Sequence, residues 1–562
     1  MNTNTKELFP LGNGCMYAVM QGLSVREIRA DHFSKSFCSI EKIPESDKSD
    51  FTKSQRIHGS THWHTRLLRV LNRDETNQQL AYVAEADDYL IANENTLIRV
   101  FNNKTTIRFK LELPEYATLT EGPVMTHDIH KAQSYFIKVR HDNYEDILQI
   151  TLFGECRLDL ETRTFILIPE RSAMILSTGT IPGLILKSSA KALDMVIKNE
   201  ISVLPLPLNE ENITEVRNSV NSILSHTCTF KGIVPSSNDK YIRMLPIYTA
   251  VKLFNLINAN QCAVMIASNA IKTFLGVRDC VGIGKYNEPQ YATDVFALVP
   301  SLLILTAIEA PNEKLLKSMA SFLTARHKIQ TGTLLNGMLP FEGREYFFDN
   351  FCSNTDGSAV STLFYIKSAE LLCQFRNDKN SVRALSKVRE SFRESFIKDS
   401  KIYLNSPKRT ENVTLPRYIY GKCDFCNSSN FTWLTKNSVG AYCCDNCSEE
   451  NKNSTSPKTG VTKESYLPVL WSEYLQIKGI FTEKEIHYSQ EMALASLDSI
   501  PLCDAALLLN SMTDQPHPES QRVYEFLLSK RNSLDIWYDD NGDFDCLTNA
   551  LCSYAVVRYL SK

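Results

Sequence analysis

Cys423, Cys426, Cys444 and Cys447 form two C-x2-C pairs separated by 17 residues. Each pair sets two thiols on one tight knuckle, and two knuckles together supply four sulfurs, the tetrahedral donor set of a structural Zn2+. Four thiolates leave no coordination position for water, so this chemistry staples the chain rather than activating a nucleophile. Cys443 is a fifth thiol beside the second pair; it could replace Cys444, but the two-residue spacing to Cys447 favours Cys444. His58, His62 and His64 also lie close together, and the last two would share one face of a strand. No carboxylate accompanies them in the sequence, which favours surface or edge-strand positions. There is no Walker loop, G-x-G-x-x-G or G-x-S-x-G, and Gly282-Ile283-Gly284 is too short to cradle a phosphate.

The other 11 of the 16 cysteines, such as Cys262, Cys373 and Cys552, stand singly in apolar surroundings, as reduced core thiols do. The first seven residues are polar and lack an apolar signal region. No window reaches the ~18–20 apolar residues of a membrane span, and the most apolar stretch, 295–308, reads as a buried helix. A soluble, cytoplasmic protein is expected, with no membrane partner, and the Asn-x-Ser/Thr sites at Asn412, Asn427 and Asn430 are then chance. Net charge is −3, which does not argue for nucleic acid or an acidic membrane.

A chain of 562 residues is too long for one core, so two large domains with a small insert are expected. Residues 1–205 read as β-rich: runs at 96–101, 105–113, 134–139, 146–153, 164–169, 173–178 and 183–186 recur between turn signals, the pattern of an antiparallel sandwich. Residues 206–238 read as a linker. From 239 to 562 the apolar period is helical, with helices expected at 239–258, 291–310, 312–327, 355–374, 381–397, 463–477, 482–495, 503–512, 518–528 and 545–560. Pro311-Asn312 and Thr482 read as start signals and Gly479 as a stop. Many short helices without a fixed repeat suggest paired hairpins rather than a solenoid. Residues 403–462, polar and carrying the cysteines, read as an insertion between two helices.

The cysteine spacing, with Thr432-Trp433-Leu434 between the pairs and Gly440 before the second, resembles a GATA-type finger over about 25 residues. Thr435-Lys436-Asn437 stand where basic residues would follow the tryptophan, and no basic tail follows Cys447. DNA reading needs a dense cationic surface, so nucleic acid is disfavoured and a loop staple or a protein-docking knob is expected.

Three further stretches resemble one group of carbohydrate enzymes. Glu7-Leu8-Phe9-Pro10-Leu11-Gly12-Asn13-Gly14 is similar to the L-G-N-G opening of the β-sandwich in maltose- and kojibiose-type phosphorylases. Gly276-Val277-Arg278-Asp279 and Thr293-Asp294-Val295-Phe296-Ala297-Leu298 resemble the R-D and Q-D-V-x-A-L elements of cellobiose-type phosphorylases. Gly337-Met338-Leu339-Pro340 and Asn354-Thr355-Asp356-Gly357-Ser358-Ala359 resemble segments before a central barrel helix in debranching enzymes. The group is the six-hairpin glycosidases. The resemblance implies an N-terminal β-sandwich followed by an (α/α)6 helical barrel, here with a small zinc-binding insert.

It also implies roles. Inverting cleavage needs an acid for the leaving oxygen and, in a hydrolase, a base for water; a phosphorylase needs only the acid. Asp356 matches the acid position, with helix N-capping as its alternative role. Arg278, Asp279, Asp294 and Glu342 would bind sugar hydroxyls or serve as loop pairs and caps; Glu345 and Asp349 share the loop with Glu342. Glu464 and Glu473, flanking Tyr466-Leu467-Pro468-Val469-Leu470-Trp471, are the base candidates, and exposed helical glutamates are the alternative. Trp471, Trp537 and Tyr346 would stack on sugar or pack in the core. The leading expectation is an enzyme cleaving glucosidic bonds of an oligosaccharide or glucan by inversion, as hydrolase or disaccharide phosphorylase. The rival is a catalytically inactive relative that binds glycans or serves as a scaffold through its zinc insert. Thr293 in place of the family's arginine and the cysteine insert favour that rival.

Overall fold

The structure is a computed structural model. It describes residues 8–12, 16–30, 35–44, 52–56, 64–73, 80–90, 95–103, 106–127, 130–141, 144–168, 170–201, 244–258, 357–376, 379–406, 432–438, 442–448, 464–513, 517–532, 534–538 and 546–562, with short pieces between 215 and 282 and at 324, 418–421, 423 and 425.

Short β-branched and aromatic runs between turns fold as antiparallel strands. They are β1 (Phe9–Gly12), β2 (Tyr17–Gln21), β3 (Ser24–Arg29), β4 (Ser39–Lys42), β5 (Thr52–Arg56), β6 (His64–Arg73), β7 (Leu80–Leu90) and β8 (Thr96–Asn103). There follow β9 (Ile107–Glu112), β10 (Ala117–His127), β11 (His130–Arg140), β12 (Glu145–Phe153), β13 (Cys156–Asp159), β14 (Thr164–Leu167) and β15 (Glu170–Gly179). One sheet runs β1-β2-β3-β4-β9-β14-β13, the other β10-β11-β12-β15-β8-β7-β6-β5. Strand β9 shows why the sheets face each other: Ile107, Phe109 and Leu111 point inward while the residues between them are exposed. Those side chains meet Leu97, Phe101, Ile137, Leu148 and Leu176 of the second sheet in one apolar core, so the N-terminal part is a β-sandwich.

Two fully buried charges tie the sheets together. Arg99 of β8 donates from Nε to Asp88 Oδ1 of β7 at 2.8 Å and from Nη2 to Oδ2 at 3.3 Å. Its Nη1 reaches across to the carbonyl of Leu23, in the β2–β3 turn of the other sheet, at 3.0 Å.

Residues 183–186, expected as a strand, belong instead to helix α1 (Pro182–Lys198). Pro182 supplies a preset φ at the helix start. The apolar spacing of Ile185, Ala192, Leu193 and Val196 lays one face on the outer side of the second sheet, against Ile98, Val100, Ala132, Ala173 and Ile175.

The C-terminal part is helical: α2 (Met244–Leu256), α3 (Ala359–Arg376), α4 (Lys379–Phe396), the single turn α5 (Asp445–Ser448), α6 (Leu467–Leu475), α7 (Glu483–Leu494), α8 (Leu502–Thr513), α9 (Ser520–Lys530) and α10 (Cys546–Leu560). The helices expected at 291–310 and 312–327 lie outside the described residues, apart from Thr324. Buried and half-exposed helices alternate. Helices α3, α6, α8 and α10 are buried along almost their whole length, while α4, α7 and α9 keep one face in water. The buried helices neighbour one another in the order α3, α6, α8, α10, and α10 then packs on α2, so the last helix returns to the first. Side chains from three of them meet inside this arc. Tyr474 of α6 lies edge-on to Tyr248 of α2 and Tyr554 of α10. Lys252 Nζ sits over all three rings, 4.2 Å from the Tyr474 centroid.

The start signal at Thr482 is realised as a reciprocal capping box with Glu485. The stop falls before Gly479: α6 ends at Leu475 and left-handed Gln476 (φ 55°) caps it. After α9, Leu534 and Ile536 leave the helical part and are buried in the sandwich core, and Tyr538 Oη donates to the Leu8 carbonyl at 2.6 Å. Among the described residues, no helix is long and apolar enough to cross a membrane.

Removing one member of the Arg99–Asp88 pair strands a buried charge. Arg99→Met should cost about 3–5 kcal/mol in urea unfolding, whereas Arg99→Met with Asp88→Leu should recover most of that loss. Equal destabilisation of the single and double variants would show that the stranded Asp88 charge is not the cause of the loss.

Candidate functional site

The helix that follows the 354–359 motif begins in a short ladder. Gly357 and Ser358 pair with Ser406 and Asn405, and the Ala359 amide donates to the Leu404 carbonyl at 2.9 Å. The adjoining chain binds α6 in the same way: Tyr403 bridges Glu464, and the Ser465 amide donates to the Ile402 carbonyl at 2.9 Å. The N-terminal ends of α3 and α6 are thereby held together. Asp504, in the first turn of α8 and 5% exposed, joins them by accepting from Tyr466 Oη at 2.9 Å. The sequence reading passed over Asp504; an acid in the first turn of an apolar helix was its only signal.

Ser358 supplies the cap of α3. Its Oγ accepts from the Ser361 amide at 3.2 Å, the N-cap-to-N3 contact. The capping role weighed for Asp356 is therefore filled two residues later. Asp356 itself lies outside the described residues, as do Arg278, Asp279, Asp294, Glu342, Glu345, Tyr346, Asp349, His58, His62 and Cys426. Strand β6 includes His64, whose side chain is likewise outside them.

Glu464 sits at this end of α6 with both oxygens engaged. Lys401 Nζ donates to Oε2 at 3.1 Å and Tyr488 Oη to Oε1 at 2.5 Å. These contacts, the tyrosine hydroxyl foremost, hold its carboxyl below the usual glutamate range against the opposing effect of burial. Glu473 lies in the last turn of α6, roughly 9 Å along the axis from Leu467 at 1.5 Å per residue, beside the Tyr474–Lys252 plug. Trp471 is 0% exposed, its ring 5.3 Å from that of Phe364 and 5.5 Å from that of Tyr474. That is a core aromatic, with no face left for a sugar. Trp537 is also fully buried and donates from Nε1 to the Leu527 carbonyl at 2.8 Å.

The cysteine segment forms a separate small unit. Strands Tyr418–Gly421, Thr432–Lys436 and Tyr442–Cys443 pair in that order, and α5 follows directly. This places Cys423 just after the first strand, Cys444 just before α5 and Cys447 within it. The three sulfurs lie within 4.8 Å of one another, compatible with the ~3.8 Å edges of a tetrahedron at a Zn–S distance of ~2.3 Å. Cys423, 2% exposed against Leu434, accepts from the amides of Phe425 and Cys444, each at 3.4 Å. Such amide donors stabilise a thiolate. Cys443, 1% exposed on its strand, is not one of the three clustered sulfurs. Donor type, spacing and amide contacts therefore fit a tetrahedral thiolate-bound cation.

No protein-family model matches the sequence, and no curated protein matches it. Solved structures that it resembles are glycoside hydrolases of several kinds. An unsaturated glucuronyl hydrolase specific for heparin aligns at 12% identity and a TM-score of 0.35, over 61% of this chain and 95% of its own. A GH92 glycosyl hydrolase aligns at 6% identity and 0.41, over 99% and 85%. The GH78 rhamnosidase of Bacillus sp. GL1 aligns at 8% and 0.41, over 88% and 48%.

Ser358→Ala should lower stability by about 1 kcal/mol in chemical unfolding, the usual loss of an N-cap; no change would mean that another residue caps α3. Tyr488→Phe removes the main contact holding the Glu464 carboxyl low. A depressed pKa contributes stability that is present above the unfolded value and lost as pH falls through the folded one. The wild type should exceed the variant at pH 7, and the difference should shrink below about pH 4.3, the unperturbed glutamate value. A difference independent of pH would remove the Glu464 interaction as its cause.

Proposed function

We propose that this chain is a carbohydrate-active enzyme that cleaves glucosidic bonds of an oligosaccharide or glucan by inversion, with Asp356 as general acid. The observation that carries this reading is the cap of α3. An acid before a buried helix would ordinarily be read as its cap, but Ser358 does that work, which supports the acid role proposed for Asp356 over the capping one. The sandwich followed by an arc of alternating buried and half-exposed helices supports the same reading, and an (α/α)6 barrel is the proposed architecture of the helical part. Arg278, Asp279, Asp294 and Glu342 are proposed to hold sugar hydroxyls there. Glu464 is the base candidate at the N-terminal end of α6.

The catalytically inactive reading has one observation in its favour. Glu464 is held by Lys401 and Tyr488 and its carboxyl is depressed, which makes it a poor proton acceptor near neutral pH. A phosphorylase would need no such base, because phosphate supplies the nucleophile.

We also propose that Cys423, Cys426, Cys444 and Cys447 bind one structural Zn2+ that fixes the insert, a surface available to a protein partner. Freshly purified protein should carry about one equivalent of zinc, and Cys426→Ser should lose it. Metal analysis finding none in the wild type would end the zinc reading.

For the acid, Asp356→Asn keeps the side-chain shape but cannot donate the same proton. It should fold as the wild type does and lose about two or more orders of magnitude in rate on glucosides or maltooligosaccharides, the scale of general acid catalysis. Dependence of turnover on phosphate would favour the phosphorylase. Unchanged turnover in the variant would remove Asp356 as the acid.

A further inference from the structure

We propose that His487, Glu491 and His517 form a second divalent-cation site, for a borderline transition ion such as Zn2+ or Ni2+, separate from the cysteine insert. His487 and Glu491 are one turn apart on α7, so both side chains stand on the same face. His517 approaches from the turn before α9, and one ligand atom from each of the three lies within 4.8 Å of the others. His517 Nε2 is 3.5 Å and His487 Nε2 3.9 Å from the same oxygen of Glu491. Two imidazoles and a carboxylate are the donors such ions prefer over the hard oxygen sets that calcium and magnesium take.

The three residues line a groove of about 710 Å³ between α7 and the start of α9, together with Glu483, Gln490 and Arg522. His517 is 10% exposed, while His487 and Glu491 are 66% and 55% exposed on the groove rim. Three protein ligands leave the groove side of the ion open to water or to an anionic group. Arg522 is paired with Glu519 at 3.3 Å, so its charge is partly neutralised next to the site. One contact opposes binding. The Glu519 amide donates to His517 Nδ1 at 3.2 Å, which keeps the proton of a neutral ring on Nε2. Metal uptake at Nε2 moves that proton to Nδ1 and gives up the amide contact, lowering affinity by up to about tenfold. The site is therefore a moderate-affinity one, filled at micromolar rather than nanomolar free metal.

The test is Ni2+ titration of the full chain by calorimetry, because nickel follows imidazole donors closely. The wild type should take up one equivalent in the micromolar range. His487→Ala, Glu491→Gln and His517→Ala should each weaken that uptake about tenfold or more, while Cys423→Ser leaves it intact. His487 and Glu491 are exposed, so their variants should melt as the wild type does. Wild-type uptake no tighter than in the His487→Ala variant, or uptake abolished by Cys423→Ser alone, would overturn the site.

Discussion

The start of helix α3 is the constraint on which the functional reading depends. The Gly357–Ser358 ladder fixes the direction from which the chain enters the helix, and Ser358 satisfies its first free amides. The strand that pairs with this entry continues into the Tyr403–Glu464 bridge, so the same few backbone hydrogen bonds also set where α6 begins.

The two ends of the described helical arc differ in chemistry. Tyr474 and Lys252 lie in the C-terminal halves of α6 and α2, where they pack with Tyr248 and Tyr554. Thr249 Oγ1 and Tyr474 Oη, 2.6 Å apart, join the same cluster. Trp471 belongs to the same packed wall. The N-terminal ends, by contrast, bring together polar groups: Ser358, Asn405, Glu464, Tyr466 and Asp504. The Leu534–Tyr538 segment then couples the two parts of the chain, because the sandwich core is completed by residues that follow α9.

Much of this was legible in the sequence where local pattern and burial agree. Period-two alternation at Ile107, Phe109 and Leu111 and the Thr482–Glu485 capping pair each specify their structure within a few residues. The 183–186 run misled because Leu184-Ile185-Leu186 is apolar at every position, and only the later spacing of Ala192, Leu193 and Val196 reveals a helix. The sequence leaves Trp471 open between sugar and core because an aromatic in a motif looks the same in either place; its burial depends on Phe364, distant in sequence, as well as on Tyr474 one turn away. The His487–Glu491 pair was visible at helical spacing, but its third partner, His517, reaches it only through the packing of the turn before α9. Spacing alone prefers Cys444 over Cys443, and Cys444 is the one whose sulfur lies near those of Cys423 and Cys447.

The central claim is inverting cleavage of a glucosidic bond, and the anomeric form of the first product tests it most directly. Proton NMR of wild-type protein incubated with α- and β-linked glucosides and maltooligosaccharides, with and without phosphate, would follow the anomeric signals before mutarotation. One linkage should be cleaved, and the first product should have the opposite anomeric configuration. A product of retained configuration, or no turnover of any substrate under either condition, would contradict it.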